Sequence, residues 1–125
     1  MSTRSFIGFV TESGEFTGNY CHYDGYPEHV GKILVEHHNS FSAAEAIAEG
    51  PQIRNFDHDG RICRFGDGDD GTETYRYIEE ALNSGYDYAY IFSDADNCWK
   101  CFGRDRDIYA KMIIELNIPG NTPWE

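Results

Sequence analysis

Positive charge is what this sequence has least of. Ten Lys and Arg residues stand against 22 Asp and Glu, for a formal charge of −12 over 125 residues. A molecule so charged repels nucleic acid and anionic membranes, which are bound through clustered cations. Direct nucleic-acid binding is therefore not expected. No stretch approaches the ~18 apolar residues of a membrane helix, and the opening Met-Ser-Thr-Arg-Ser-Phe-Ile has no apolar run of the signal-peptide kind. The expected location is the cytoplasm of whatever cell makes the chain. There Cys21, Cys63, Cys98 and Cys101 are reduced thiols rather than a disulfide framework. No internal repeat or low-complexity tract is present.

Aromatic residues, by contrast, are plentiful: 9 Tyr, 8 Phe and 2 Trp within a 40% hydrophobic composition. Disordered chains lack such rings, and a chain of this length buries enough surface for one core. Residues 1–118 are read as a single α+β domain and 119–125 as a C-terminal tail.

Ser5–Val10 alternates as a strand, Glu12-Ser13-Gly14-Glu15 turns, and Phe16–Tyr23 returns as the hairpin partner. Pro27 suits the first turn of a helix, and Val30, Ile33, Leu34 and His37 continue it at helical spacing to about His38. Ser42-Ala43-Ala44-Glu45 has the capping-box form of a second helix that stops at Gly50-Pro51. Arg61–Phe65 is a strand candidate. Tyr75, Ile78, Ala81 and Leu82 mark a helix ending at Gly85. Tyr86–Phe92 is the clearest strand, with Tyr86, Tyr88, Tyr90 and Phe92 on one face, and Cys98–Phe102 is its partner. A last helix begins at Asp105, its stripe being Ile108, Tyr109, Met112, Ile113 and Leu116. Hairpins at each end with helices between predict an antiparallel sheet packed against three to four helices.

Familiar catalytic patterns do not survive inspection. Cys98-Trp99-Lys100-Cys101 lies in a predicted strand, so its two thiols face opposite ways. Redox pairs of this spacing sit at helix starts, and zinc pairs share one side. Cys21 and His22 are adjacent on a strand and diverge, which opposes a nucleophile–base pair. Gly66-Asp67-Gly68-Asp69-Asp70-Gly71 lacks the register of a calcium loop. No catalytic residue, metal ligand or cofactor is assigned, and the chain is read as a non-enzyme. A metal-dependent enzyme using Asp67, Asp69, Asp94 or Asp96 is the least favoured reading.

The scarce cations are mostly arginines, which suit bidentate contact with phosphate. Arg104 and Arg106 follow Trp99 and Phe102, and rings beside guanidinium groups hold nucleobases and phosphates. Tyr20-Cys21-His22-Tyr23-Asp24-Gly25-Tyr26-Pro27 crowds three further tyrosines, a His and an Asp into a strand-to-helix junction. Helix starts attract anions, although Glu28 opposes this.

The Thr-Arg-Ser start, the block from Tyr20 to Gly31, and the late Tyr-Asp-Tyr strand followed by Trp resemble a group of small phage and prophage proteins. The resemblance runs to about Phe102. Part of that group is similar to the Thoeris anti-defence proteins of the first type, which sequester a cyclic ADP-ribose signal. The chain departs where relatives carry Gly-Arg-Asp-Arg-Gly-Glu and it has Gly66-Asp67-Gly68-Asp69-Asp70-Gly71; Gly103-Arg104-Asp105-Arg106 is the proposed replacement. The resemblance implies an anti-defence protein that binds a small cyclic nucleotide without turnover. The expected ligand contacts are Arg4, Tyr23, Asp24, Tyr26, Trp99, Arg104 and Arg106. The alternative is an acidic inhibitor of a host defence enzyme that processes nucleic acid, such as a nuclease or CRISPR effector. A homodimer or small homo-oligomer is expected, paired through a tyrosine-lined strand edge.

Overall fold

Gly8 and Gly18 face each other where the two strands of the first hairpin cross, and their missing side chains let the backbones close. A Cβ at Gly18 would lie 2.6 Å from the Ile7 carbonyl oxygen and 2.8 Å from the Phe6 ring. In the computed structural model, which describes residues 2–66, 70–104 and 113–119, this hairpin is the middle of an α+β fold. Strand β1 (Ser5–Val10) pairs antiparallel with β2 (Phe16–Cys21) across a turn closed by Thr11 and Glu15, with Gly14 at φ 87°. The remaining strands are β3 (Ile53–Phe56), β4 (Ile62–Arg64), β5 (Thr72–Tyr75), β6 (Tyr88–Ser93), β7 (Cys98–Arg104) and β8 (Ile113–Leu116). They form one sheet in the order β4-β3-β2-β1-β6-β7-β8. The outer side of β2 is shared, with β5 along Phe16–Asn19 and β3 at Cys21.

The sheet is mixed rather than antiparallel. β1 runs parallel to β6 from Ser5↔Tyr88 to Phe9↔Phe92, and β2 meets β3 in parallel. Hairpin reasoning pairs neighbours in sequence; here the two hairpins are joined side by side by a long crossover, which sequence adjacency does not reveal. Strand β6 is consequently interior, between β1 and β7. The tyrosine-rich strand is therefore not an edge strand of this sheet.

Strand alternation gives the sheet two faces. One is covered by a π-helical turn (Pro27–Gly31) that runs into α1 (Lys32–His37), followed by α2 (Phe41–Ala48). Ile7, Cys21, Ile53, Tyr90, Phe92, Trp99 and Cys101 are buried beneath them with Val30, Leu34, Ala44 and Ile47. The expected capping box at Ser42 is displaced: Ser40 caps α2, its hydroxyl accepting from Ala43 N at 3.1 Å, so the helix starts two residues earlier. Arg64 closes the other end of α2, donating to the carbonyls of Ala46, Ile47 and Pro51 at 3.1, 3.3 and 2.6 Å. Asn19, fully buried, shares that task through Nδ2.

Among the described residues the opposite face carries one helix, α3 (Ile78–Asn83), six residues long. Glu80 starts it by accepting from the Arg76 and Tyr77 amides at 3.0 and 2.9 Å. Phe6, Ala89 and Ile91 lie beneath Ala81 and Leu82. Tyr75 ends β5 instead of beginning the helix. Tyr86, expected to share a face with Tyr88 and Tyr90, precedes β6 and packs on the α3 side against Phe6, at a ring separation of 5.6 Å. At the C-terminal end, Ile113 and Leu116 are on strand β8, not a helix; the rest of that expected helix, from Asp105 to Met112, and tail residues 120–125 lie outside the described residues. Among the described residues no helix is long and apolar enough to cross a membrane.

Candidate functional site: an arginine and tyrosine face beside α3

Six residues of helix cannot cover one face of an eight-stranded sheet, and among the described residues the face stays open past the end of α3. Alternation along β2 places Phe16, Tyr20 and then His22 on this side. The Tyr20 hydroxyl and His22 Nδ1 share a hydrogen bond. His22 in turn meets Tyr23 edge-on at 4.4 Å and Phe65 at 5.9 Å, while Tyr20 lies 5.9 Å from Tyr86. The result is a continuous run of rings from Tyr86 to Tyr23. Tyr23 is the accessible end of it, 45% exposed.

Arg4 stands at the same place from the other side. One position before the Ser5↔Cys21 pair, it lies opposite His22. With Tyr20, Glu73, Tyr75, Ser84 and Tyr86 it lines a cleft of about 150 Å³. The Arg4 amide donates to Asp87 Oδ2 at 3.0 Å. Following the Tyr88↔Gly103 register back one position puts Asp87 beside Arg104, on the face that Phe102 also shares. Arg4, Asp87 and Arg104 therefore form one row across β1, β6 and β7, the two arginines about 10 Å apart by strand spacing. Arg104 bonds to Asn83 Oδ1 at the end of α3. Arg54 is exposed beside this row, its carbonyl accepting from the Tyr23 amide at 2.9 Å. Among the described residues, the guanidinium groups of Arg4 and Arg54 form no ion pair.

Inside the cleft the hydroxyls are held protonated. Burial first, then the hydrogen bond it donates to Glu73, pushes the Tyr86 hydroxyl far above its ordinary value. Tyr75 is raised by burial, with Glu73 adding to it, and Tyr20 by burial against a lowering influence from Arg4. These groups serve as hydrogen-bond donors at neutral pH, and none is poised as a base or nucleophile.

The seven expected contacts separate. Arg4 and Tyr23 come together through Tyr20 and His22, and Arg104 shares their sheet face. Asp24 is exposed in a left-handed turn at φ 57° beside Tyr23. Tyr26 has other company: it opens the π-helical turn and lies 6.2 Å from His29, which meets His58 at 5.1 Å. Trp99 is corrected outright. Its ring is fully buried on the helical face, edge-on to Phe92 at 5.4 Å, and Nε1 donates to the His38 carbonyl at 2.9 Å. No stacking surface is left on it. Arg106 lies outside the described residues, as do Asp67 and Asp69.

Tyr20, His22, Phe65, Glu73, Tyr75 and Tyr86 belong to this face and were not singled out as contacts from the sequence. Alternation was the available signal, since it sets Tyr20 and His22 on one side of β2. Glu73 and Tyr75 sit on β5, a strand too short to show its period in the sequence.

The cysteines fit no reactive role. Burial lifts Cys21 and Cys101 to about 12, so both stay as thiols near neutrality. Cys98 and Cys101 occupy opposite faces of β7. Asp96, one of the acids considered for metal, is paired with Lys100 at 2.7 Å. Among the described residues no three His, Cys, Asp or Glu side chains are grouped to hold a metal ion. Comparison with protein-family models, curated proteins and solved structures finds no significant match to this chain.

Proposed function

We propose that the open face beside α3 binds a small phosphorylated, ring-bearing ligand of the cyclic-nucleotide class and holds it without turnover. The observation that carries this reading is the meeting of Arg4 with the Tyr86–Tyr20–His22–Tyr23 run on a molecule of net charge −12. Cations this scarce are usually consumed by neighbouring acids; Arg4 and Arg54 form no ion pair among the described residues. Guanidinium groups bind phosphate bidentately, and exposed rings stack on bases at about 1–3 kcal/mol each. The cleft alone admits one ring-sized group, being far smaller than the roughly 300–1,000 Å³ of a drug-sized pocket. The rest of the ligand lies across His22, Tyr23 and Phe65.

Sequestration of a signalling nucleotide, as an anti-defence protein of a phage, is the biological role we attach to this chemistry, and the resemblance of the Tyr20–Gly31 block supports it. Isothermal calorimetry against cyclic ADP-ribose isomers and cyclic oligonucleotides tests it. Binding of at least one ligand is expected. Arg4→Gln should weaken it tenfold or more, and the ligand should be recovered chemically unchanged. A folded protein that gives no heat with the whole panel, or equal affinity in Arg4→Gln, rejects the reading.

A further inference from the structure

The two ends of the cleft differ in charge. Glu73 is opposite Gly18 on β2, while Arg4 is opposite His22. Four residues of strand, about 13 Å, separate those two positions, and Tyr20 stands midway. Glu73 is tethered, because its Oε1 accepts from the Tyr86 hydroxyl. The floor and walls between are the rings of Tyr20, Tyr75 and Tyr86, with Ser84 at the rim. Across from Glu73 no side chain intrudes from Gly18.

Resting on the reading above, we infer that Glu73 fixes which way round the ligand lies: a ribose ring enters the cleft with its cis-diol on the Glu73 carboxylate, and the phosphate stays at Arg4. Three features select a sugar over a base or a second phosphate. An ionised carboxylate only accepts hydrogen bonds, so it repels phosphate and favours paired hydroxyl donors. Carboxylates read ribose hydroxyls in the same manner in dinucleotide sites. A volume on the order of 150 Å³ holds a single ring of benzene size, and aromatic walls suit the apolar C–H faces of a pentose. The acid that looks misplaced on a phosphate-binding face thus becomes its specificity element.

Ribose 5-phosphate, 2-deoxyribose 5-phosphate and inorganic phosphate are the probes, titrated into the full-length protein and followed by amide chemical shifts. Ribose 5-phosphate should bind about tenfold more tightly than its deoxy analogue, because a site built to bond a hydroxyl rejects ligands lacking it. Glu73→Gln and Glu73→Ala should bring the two sugars within about threefold while leaving inorganic phosphate binding unchanged. The alanine variant covers the case in which the amide oxygen of Gln still accepts. Well-dispersed spectra establish that each variant is folded. Equal binding of the two sugars by the unaltered protein, undiminished discrimination in both variants, or no response of cleft residues to either sugar each overturns the inference. In those outcomes, Arg4-dependent heat with the cyclic nucleotides would leave the proposed function standing on its own.

Discussion

Tyr20 and His22, two residues apart and on one side of β2, are joined by a hydrogen bond between the phenolic oxygen and Nδ1. That bond sets the plane of the imidazole, which then meets both Tyr23 and Phe65. Tyr20→Phe keeps the ring and removes the bond. The expected outcome is a loss of about 1 kcal/mol or less in stability, as for a single partly buried hydrogen bond. Ligand affinity should fall about three- to tenfold, measured by calorimetry beside a urea melt. A variant that binds normally would detach His22 from the site.

Trp99 separates core from site most cleanly. Truncation to Ala should cost about 3–5 kcal/mol, the range for a buried Trp. Trp99→Phe should cost about 1–2 kcal/mol, from the donor lost to the His38 carbonyl. Both changes should leave ligand affinity within about twofold under conditions where the variants are folded. Denaturant melts and calorimetry check the pair. A large affinity loss in a stable Trp99→Phe protein would reinstate the ring as a contact.

Alkaline pH should destabilise the protein through its buried thiols. Cys21 and Cys101 are held to about 12 by burial, against about 8.5 for a thiol in an unfolded chain. Above that lower value the unfolded state has released protons that the folded state retains, so stability falls as pH rises toward 12. Thermal midpoints should therefore decline from about pH 8.5 upward, and less steeply in Cys101→Ala. Alkylation followed by mass spectrometry gives a second check. At pH 8, half-buried Cys63 and Cys98 should react first, and Cys21 and Cys101 only on unfolding.

Gly8→Ala should be the most damaging methyl in the first hairpin. A Cβ there would sit against the Thr17 carbonyl and the Gly18 Cα, which are backbone atoms that cannot swing aside. The expected cost is about 3 kcal/mol or more, at the upper end for overpacking. Gly14→Ala is the comparison. It meets nothing within 4 Å but keeps a φ of 87°, so its cost should be near 1 kcal/mol. Guanidinium melts of the two variants rank them.

Local signals in the sequence were dependable where a strand alternates or a helix has a stop. Ser5–Val10, the Phe16 strand and the Cys98 strand are all present, and Gly50 at φ 88° and Gly85 at φ 107° follow helices. Short strands were the blind spot. Thr72–Tyr75 and Ile53–Phe56 are four residues each, too brief for a period to declare itself, and Tyr75 was drawn into the helical pattern that follows. Ile113 and Leu116, three apart, fit a helical stripe as well as a strand because spacing alone cannot choose between them.

The site was legible by parts. Arg4, Tyr23 and Arg104 were chosen for chemistry, and the register places two of them in one row. Trp99 failed because an aromatic beside an arginine in sequence says nothing about which face of the strand it takes. Arg64, an equal member of the arginine inventory, serves the C-terminal carbonyls of α2. Only the sheet order distinguishes such uses.

The parallel seam between β1 and β6 has a further consequence for how the chain is made. Ser5 waits for Tyr88, and a ribosome adding roughly 5–20 residues per second needs several seconds to deliver it. Throughout that interval the first hairpin has been synthesised with one of its margins bare. Release or cleavage of the nascent polypeptide before residue 93 leaves that margin open to any other extended chain.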